Sequence, residues 1–225
     1  MTTITAAAAA LARTWTSERK KRPASAGLFF SAVRYAARVP FPYYARLSRP
    51  EKEVYRRSDA LARVPIPRPS DLRVLLPEVE AALSADDRRA LASVTSTLVS
   101  GLLDQLGAPP AVARVLAVRP GDGESELHGL YEAREGEVPE LKVWMRTHAR
   151  KQPVAKKSFV RTVLHEVCHH LDFFLFDLDP SFHTEGFFKR ESHLARQLFD
   201  DGDLKRRLGV QPAPAPKRGQ LGFDF

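Results

Sequence analysis

The clearest pattern of apolar positions in this 225-residue chain begins near residue 158. Apolar side chains recur there at intervals of three and four residues, the spacing of one helix face, at Val160, Val163, Leu164, Val167, Cys168, Leu171, Phe174 and Leu175. Ser158 is suited to cap the start of this helix, and Asp177, Asp179 and Pro180 are suited to end it. The pattern predicts a long amphipathic helix with one continuous buried stripe.

Three short strands are predicted before this helix. Residues 111–119 and 126–134 have strand composition on either side of a turn at residues 120–123. Residues 141–146 then alternate apolar and polar side chains, as in a strand with one buried face. We therefore expect a small, mostly antiparallel sheet in front of the long helix.

Two further helices complete the predicted domain. Ser84 and Asp87 resemble a capping box at the start of one helix, which Gly107 would end. The other helix is predicted over residues 184–199. This order of strands and helices favours an α+β fold over residues 70–208.

The long helix carries the sequence His165-Glu166-Val167-Cys168-His169, an HExxH motif. In a helix, His165 and His169 lie one turn apart on the same face, so both imidazoles can reach one zinc ion at about 2.0–2.1 Å. Glu166 then lies beside the ion as a general base. Because both histidines border the apolar stripe, the motif predicts a site for one zinc per chain at the edge of the core.

The third protein ligand of a catalytic zinc has to come from outside the motif. Leu175 and Asp172 occupy positions where the longer metzincin motif needs a ligand and a glycine, which excludes that class. His183 is favoured, with Glu185, Glu191 and Asp172 as alternatives. Asp172 is better suited to accept the second ring N–H of a ligand histidine and so fix its orientation.

These residues resemble the SprT-like zinc metallopeptidases. The shared pattern is HExxH, then a third histidine and a large aromatic four residues later, here His183 and Phe187, and it covers about residues 110–200. The chain departs from the pattern at Thr184, where a glycine usually follows the third histidine. It also has a single cysteine, so it cannot form the zinc ribbon that is familiar at the C-terminus of the family.

The resemblance implies a minimal zincin-like metalloprotease domain in which Glu166 is the base and the zinc ligands are His165, His169 and His183. The expected reaction is hydrolysis of peptide bonds in a protein or peptide substrate through a zinc-bound water. Related proteins act on proteins bound or crosslinked to DNA, which implies a DNA-associated substrate. The candidates for stabilising the oxyanion, by residue type alone, are His148, Tyr131 and His193.

A second class of function is a non-enzymatic nucleic-acid-binding or adaptor protein with a structural zinc site. Glu166 discriminates between the two classes, because a structural site needs no general base beside its ligands. Structural zinc sites also use several cysteines more often than this chain allows. The motif therefore favours the enzyme.

Cysteine content and hydropathy set the expected compartment. The only cysteine, Cys168, excludes an internal disulfide and suits a reducing compartment. No apolar run is long enough to cross a bilayer, so we expect no transmembrane segment. The expected location is the cytoplasm.

Positive charge is concentrated in the predicted N-terminal extension, residues 1–69. Residues 1–70 contain 14 Lys and Arg and 4 Asp and Glu, a net +10, whereas the remainder contains 21 and 23, a net −2. Tyrosines and phenylalanines alternate with these arginines, a composition that can hold phosphates and stack on unpaired bases. DNA binding by this region is one prediction, and contact with a membrane surface is another. The third is an arm that packs its aromatic residues on the catalytic domain.

The C-terminal tail, residues 209–225, has a different composition. It is rich in proline and alanine, as in a flexible linker, and it ends in Gln220, Leu221, Gly222, Phe223, Asp224 and Phe225. Gln220, Leu221, Phe223 and Phe225 resemble the motif with which bacterial repair proteins dock into the sliding clamp. We therefore predict clamp docking by the tail, with folding back onto the domain as the alternative.

Overall fold

The computed structural model describes residues 41–122 and 125–199. After a 3-10 helix at Pro42–Arg46 its elements are, in chain order, α1 (Arg49–Ala60), α2 (Pro69–Arg73), α3 (Leu76–Ser84), α4 (Arg88–Leu106), β1 (Val112–Val118), β2 (Gly129–Glu132), β3 (Glu140–Arg146), α5 (Lys156–Phe174) and α6 (Glu185–Phe199). The predicted mixture of helices and a small sheet is confirmed. Residues 1–40 and the tail with Gln220, Leu221, Phe223 and Phe225 lie outside the described residues.

Helix α5 buries the predicted apolar stripe. Phe159, Val163, Val167 and Leu171 are each at most 2% exposed. The helix begins earlier than predicted, with Ala155 at the N-cap position and Ser158 inside the first turn. The reason is the preceding segment, which is held extended by a bond from the Val154 amide to the Met145 carbonyl, so helical geometry can start directly after it.

Helix α4 is capped by Asp87 alone. The Asp87 carboxylate accepts bonds from the Arg89 and Ala90 amides at 2.9 and 3.0 Å. The predicted capping box is wrong, because Ser84 is the last residue of α3. Gly107 ends α4 as predicted, in the left-handed conformation (φ 66°) that glycine adopts without strain.

The sheet has the strand order β1-β3-β2. Strand β3 pairs in parallel with β1 and antiparallel with β2, so the sheet is mixed and the prediction of a mostly antiparallel sheet is wrong. β3 lies at the centre, where its apolar residues Leu141, Val143 and Met145 are at most 2% exposed. Strand β2 is left at the edge that packs on α5.

Residues 41–69 contribute to the same core. Val64 and Ile66 are at most 5% exposed, as is Tyr55 on α1, and α1 packs on α6. The predicted boundary between residues 69 and 70 therefore falls inside the packed unit. The basic composition of this segment arises from exposed side chains such as Arg49 and Arg56, which lie outside its buried face.

Across the described residues, no helix is both long enough and apolar enough to cross a bilayer.

Candidate metal centre

Three histidines converge where α5 meets the loop before α6. His165 and His169 lie one turn apart on α5, and His183 lies on the loop at residues 175–184. The Nε2 atom of His183 is 3.0 Å from His165 Nε2 and 3.1 Å from His169 Nε2. Within the described ranges these three residues form the group whose donor atoms are close enough to hold a metal ion.

The second ring nitrogen of His165 is bound by a carboxylate. His165 Nδ1 lies 3.2 Å from Glu191 Oε2 on α6, and Arg161 Nη2 donates to the other oxygen of Glu191 at 2.6 Å. Burial alone would raise the pKa of Glu191, but the bonds from His165 and Arg161 outweigh it and hold the pKa below its usual value. Glu191 was an alternative third ligand, and the structure instead places it behind His165.

The second ring nitrogen of His169 is bound through a relay. His169 Nδ1 is 2.8 Å from Ser181 Oγ, which donates to Asp172 Oδ2 at 2.8 Å. Asp172 also accepts both bonds of a buried ion pair with Arg190, at 2.8 and 3.0 Å. Asp172 was expected to bond directly to a ligand histidine. Instead it bonds to Ser181, which in turn bonds to His169.

Arg190 ties this relay to α1. It donates to the Ser58 and Leu61 carbonyls at 2.7 and 2.6 Å, and its side chain is completely buried. Burial raises the pKa of Asp172 to about 6, and Arg190 and Ser181 oppose that shift. The carboxylate is therefore ionised at neutral pH, as a partner for the buried guanidinium.

These bonds determine which ring nitrogens carry protons. A carboxylate only accepts, so His165 donates from Nδ1 to Glu191. Ser181 gives its one proton to Asp172 and must accept from His169 Nδ1. In the neutral form of His165 and His169, the Nε2 atoms are then unprotonated and face His183 Nε2, which can donate to only one of them. A cation among the three nitrogens would satisfy them all.

The three imidazoles fit a zinc ion. Bonds of 2.0–2.1 Å in a tetrahedral shell separate pairs of nitrogens by about 3.3 Å, close to the separations found here. Burial, and then the other two histidines, lower the pKa of His169 to about 3. Burial and His165 lower the pKa of His183 as well. Both rings are neutral at neutral pH, the form that binds metal.

Phe187 forms the floor of the site. It is fully buried, and its ring centre lies 4.8 to 5.0 Å from the ring centres of all three histidines. The Phe188 ring stacks on the His183 ring, with centres 5.8 Å apart. This apolar packing limits the number of orientations open to the imidazoles.

Glu166 lies beside the histidines with its carboxyl group buried. The residue is 4% exposed, and burial raises its pKa to about 7 although the neighbouring His165 opposes the shift. Gly129 on β2 leaves room for the carboxylate, because a β-carbon at residue 129 would lie 2.7 Å from Glu166 Cδ. The edge strand and the predicted base are therefore in direct contact.

A cleft of about 790 Å³ opens beside these residues. Its wall includes His165, Glu166 and His183, together with the residues before and at the start of β2, Leu127, His128 and Gly129. Burial and the nearby Arg119 lower the pKa of His128, so its ring is neutral at neutral pH. His128 was not among the candidates from the sequence, because nothing in its local pattern connects it to the motif.

The three predicted candidates for the oxyanion are occupied elsewhere. The Tyr131 hydroxyl lies 3.0 Å from His170 Nδ1, and His148 Nδ1 lies 3.2 Å from the Arg119 carbonyl. His193 Nδ1 faces the backbone of Val64. None of the three lines the cleft.

No protein-family model, characterised protein or solved structure matches this chain, so the site is interpreted from its own residues and the SprT-like resemblance stays a prediction.

Proposed function

We propose that this protein is a zinc-dependent metallopeptidase. The observation that carries the proposal is the convergence of three Nε2 atoms, with separations of 3.0 and 3.1 Å from His183, beside the buried carboxyl group of Glu166. His165, His169 and His183 would hold the zinc. A structural zinc site would have no need of the carboxyl group or of the cleft beside it.

Glu166 is the residue that moves the proton. When bound, zinc supplies Lewis-acid polarisation of a peptide carbonyl and lowers the pKa of water. The Glu166 carboxylate accepts a proton from the attacking water and passes it to the leaving amine. Its burial beside Gly129 keeps it in the cleft and away from bulk solvent.

His128 is the residue we propose for stabilising the developing oxyanion. It is the one histidine besides the proposed ligands that lines the cleft, and all seven histidines of the chain lie within the described residues. It directly precedes Gly129, which contacts Glu166. A neutral imidazole in this place can donate an N–H bond to the substrate carbonyl oxygen.

The edge strand β2 supports a peptide as substrate. In the described part of the chain, β2 pairs on one side only, with β3. An extended peptide can bind such an edge through backbone hydrogen bonds, whatever its side chains. Because β2 begins at Gly129, a peptide bound along it would pass the carboxyl group of Glu166.

DNA-associated proteins are the substrate class that we propose. The support is the charge of residues 1–40, which contain seven Lys and Arg and one Glu. A segment of this composition can bind nucleic acid through phosphate contacts and bring the cleft near proteins on the same DNA.

The test combines metal content with catalysis. Purified protein should contain about one zinc per chain by atomic emission spectrometry, and His165→Ala, His169→Ala and His183→Ala should each lower that content. Glu166→Gln should retain zinc while abolishing cleavage of an unfolded protein substrate, because the amide cannot accept the proton.

Three outcomes would contradict the proposal. Wild-type protein without bound zinc after reconstitution would remove its basis. Equal cleavage by the wild type and Glu166→Gln would show that the activity belongs to a contaminant or to another site. Zinc binding without any cleavage would favour the non-enzymatic adaptor with a structural site.

A further inference from the structure

The third histidine has the least support from its own segment. His165 and His169 are fixed by the backbone of α5, whereas His183 lies outside helices and strands and its side chain is exposed. A ligand on a loop binds metal well only if other contacts hold its backbone in place, since ordering the loop otherwise opposes binding. Besides the bonds of Ser181 to α5, the contacts that hold this loop come from far away in the sequence.

Tyr43 makes the most direct of these contacts. Its hydroxyl group lies 2.9 Å from the backbone carbonyl oxygen of His183, and it must donate because a carbonyl only accepts. Its ring stacks on the ring of Phe182, with centres 6.2 Å apart and planes at 27°. Burial raises the pKa of Tyr43 to about 12, so the donor keeps its proton across the physiological range.

Helix α1 holds the residues on the other side of His183. The hydroxyl groups of Ser58 and Thr184 lie 3.1 Å apart in a buried contact. Asp59 accepts a bond from the Gly186 amide at 2.9 Å. A β-carbon at Gly186 would lie 2.6 Å from the Asp59 carbonyl oxygen, so the two backbones are in close contact. The loop is thus held both before and after the ligand.

We propose that Tyr43 is a positioning residue for the metal centre, which fixes the backbone of His183 and so pre-forms the third ligand. The inference rests on the proposed metal site and goes beyond it, because it assigns part of the basic N-terminal region to metal binding. Tyr43 neither lines the cleft nor belongs to the group of three candidate ligands. It acts only through the position of His183.

Tyr44 provides a matched control. It is the next residue in the same 3-10 helix, and its ring contacts are with Tyr55 at 4.8 Å and the Lys52 amine at 5.5 Å. Among the described residues, Tyr44 has no hydrogen bond or ring contact with residues 181–188. Tyr44→Phe therefore removes a phenolic hydroxyl group from the same 3-10 helix and leaves the bond from Tyr43 to His183 in place.

The experiment compares the full-length wild type, Tyr43→Phe and Tyr44→Phe. Zinc affinity is measured by competition with a chromophoric chelator, and the cobalt-substituted proteins are compared by visible absorption, which reports tetrahedral coordination. Tyr43→Phe should bind zinc roughly three- to tenfold more weakly, the effect of removing one hydrogen bond. It should also weaken the cobalt absorption band, and Tyr44→Phe should match the wild type in both measurements.

Urea unfolding of the zinc-free proteins separates positioning from general stability. If Tyr43 acts on the ligand, the free energy of zinc binding should differ between Tyr43→Phe and Tyr44→Phe. This difference should exceed the difference in free energy of unfolding between the same two variants without zinc. Equal zinc affinity and equal cobalt spectra in all three proteins would overturn the role of Tyr43 alone. A wild-type chain that binds no zinc would overturn the proposed function together with this inference.

Discussion

Gly129 on the edge strand lies directly against Glu166 on α5. A β-carbon at residue 129 would stand 2.7 Å from Glu166 Cδ and 2.9 Å from Glu166 Cγ, separations that real structures do not tolerate. The carboxyl group can therefore keep its place only while residue 129 has no side chain. The strand that could bind substrate also determines the position of the proposed base.

Gly129→Ala should reduce catalysis without releasing zinc. The new methyl group would push the Glu166 carboxyl group out of its place, and a displacement of about 1 Å at a catalytic group can cost roughly 10²-fold in rate. We expect kcat/KM for a peptide substrate to fall by that order while the zinc content stays at the wild-type value. Activity equal to wild type would mean that Glu166 can move without loss and that its observed position is not the active one.

Glu191→Ala should weaken zinc binding without abolishing it. Glu191 orients His165 through Nδ1, and loss of such an outer partner typically costs about 10- to 100-fold in metal affinity. Glu185→Ala is the control, since Glu185 lies on the same helix and pairs with Lys189 at 2.8 Å. If His183→Ala kept full affinity while Glu191→Ala lost all zinc, Glu191 would be the third ligand. The measurement is chelator competition on the three variants.

The part of the site that lies within one helix could be predicted from sequence. The spacing of His165, Glu166 and His169 determines their common face once α5 is helical, because 3.6 residues per turn bring positions four apart into line. The role of Glu191 could not be predicted. Whether a residue on α6 binds metal or supports a ligand depends on how two helices pack, and no local pattern carries that information.

The contribution of residues 41–69 to the core and to the site could not be predicted, for a related reason. Ser58 and Arg190 are 132 residues apart in the chain, and their contact depends on α1 packing on α6. The net charge of residues 41–69 reflects their exposed arginines and gives no sign of their buried face, which contains Tyr55, Val64 and Ile66. The prediction of a mostly antiparallel sheet was wrong for a similar reason, because the parallel pairing of β3 with β1 is a contact between residues far apart in the chain.

His170 should make the zinc-free protein less stable in acid. It is fully buried, donates from Nε2 to the Pro109 carbonyl at 2.8 Å and accepts from the Tyr131 hydroxyl group. Burial lowers its pKa to about 4. Between pH 6.5 and 4 the unfolded chain binds a proton that the folded chain does not, so stability falls as the pH falls, by up to about 1.4 kcal/mol per pH unit.

Urea unfolding of EDTA-treated protein between pH 7.5 and 4.5 measures this effect. His170→Gln can keep both hydrogen bonds but cannot bind the proton, so its free energy of unfolding should depend less on pH than that of the wild type. His169 contributes a similar term in both proteins and cancels in the comparison. Parallel curves for the two proteins would show that His170 does not remain neutral in the folded state.

His128→Ala should lower kcat while zinc binding is unchanged. The residue lines the cleft but belongs to none of the bonds that orient the three histidines. Loss of one donor to an oxyanion typically costs about 10²- to 10³-fold in kcat. His148→Ala is the control, because His148 bonds to the Arg119 carbonyl and does not line the cleft. Equal losses in the two variants would remove the assignment of His128.

Deletion of residues 1–40 should weaken DNA binding and leave the metal centre intact. This segment holds seven Lys and Arg against one Glu, whereas the residues that support His183 begin at Tyr43. Deletion of residues 1–69 would be a poor test, because it also removes Ser58, Val64 and Ile66 from the core. Zinc affinity of the protein lacking residues 1–40 should therefore equal that of the full chain.

Fluorescence anisotropy with a labelled single-stranded oligonucleotide measures DNA binding by the two proteins. The full chain should bind more tightly, and its affinity should depend more steeply on salt, by about 0.7 in log–log slope for each phosphate that residues 1–40 neutralise. Equal affinity and equal slope in the two proteins would place any DNA-binding surface outside residues 1–40.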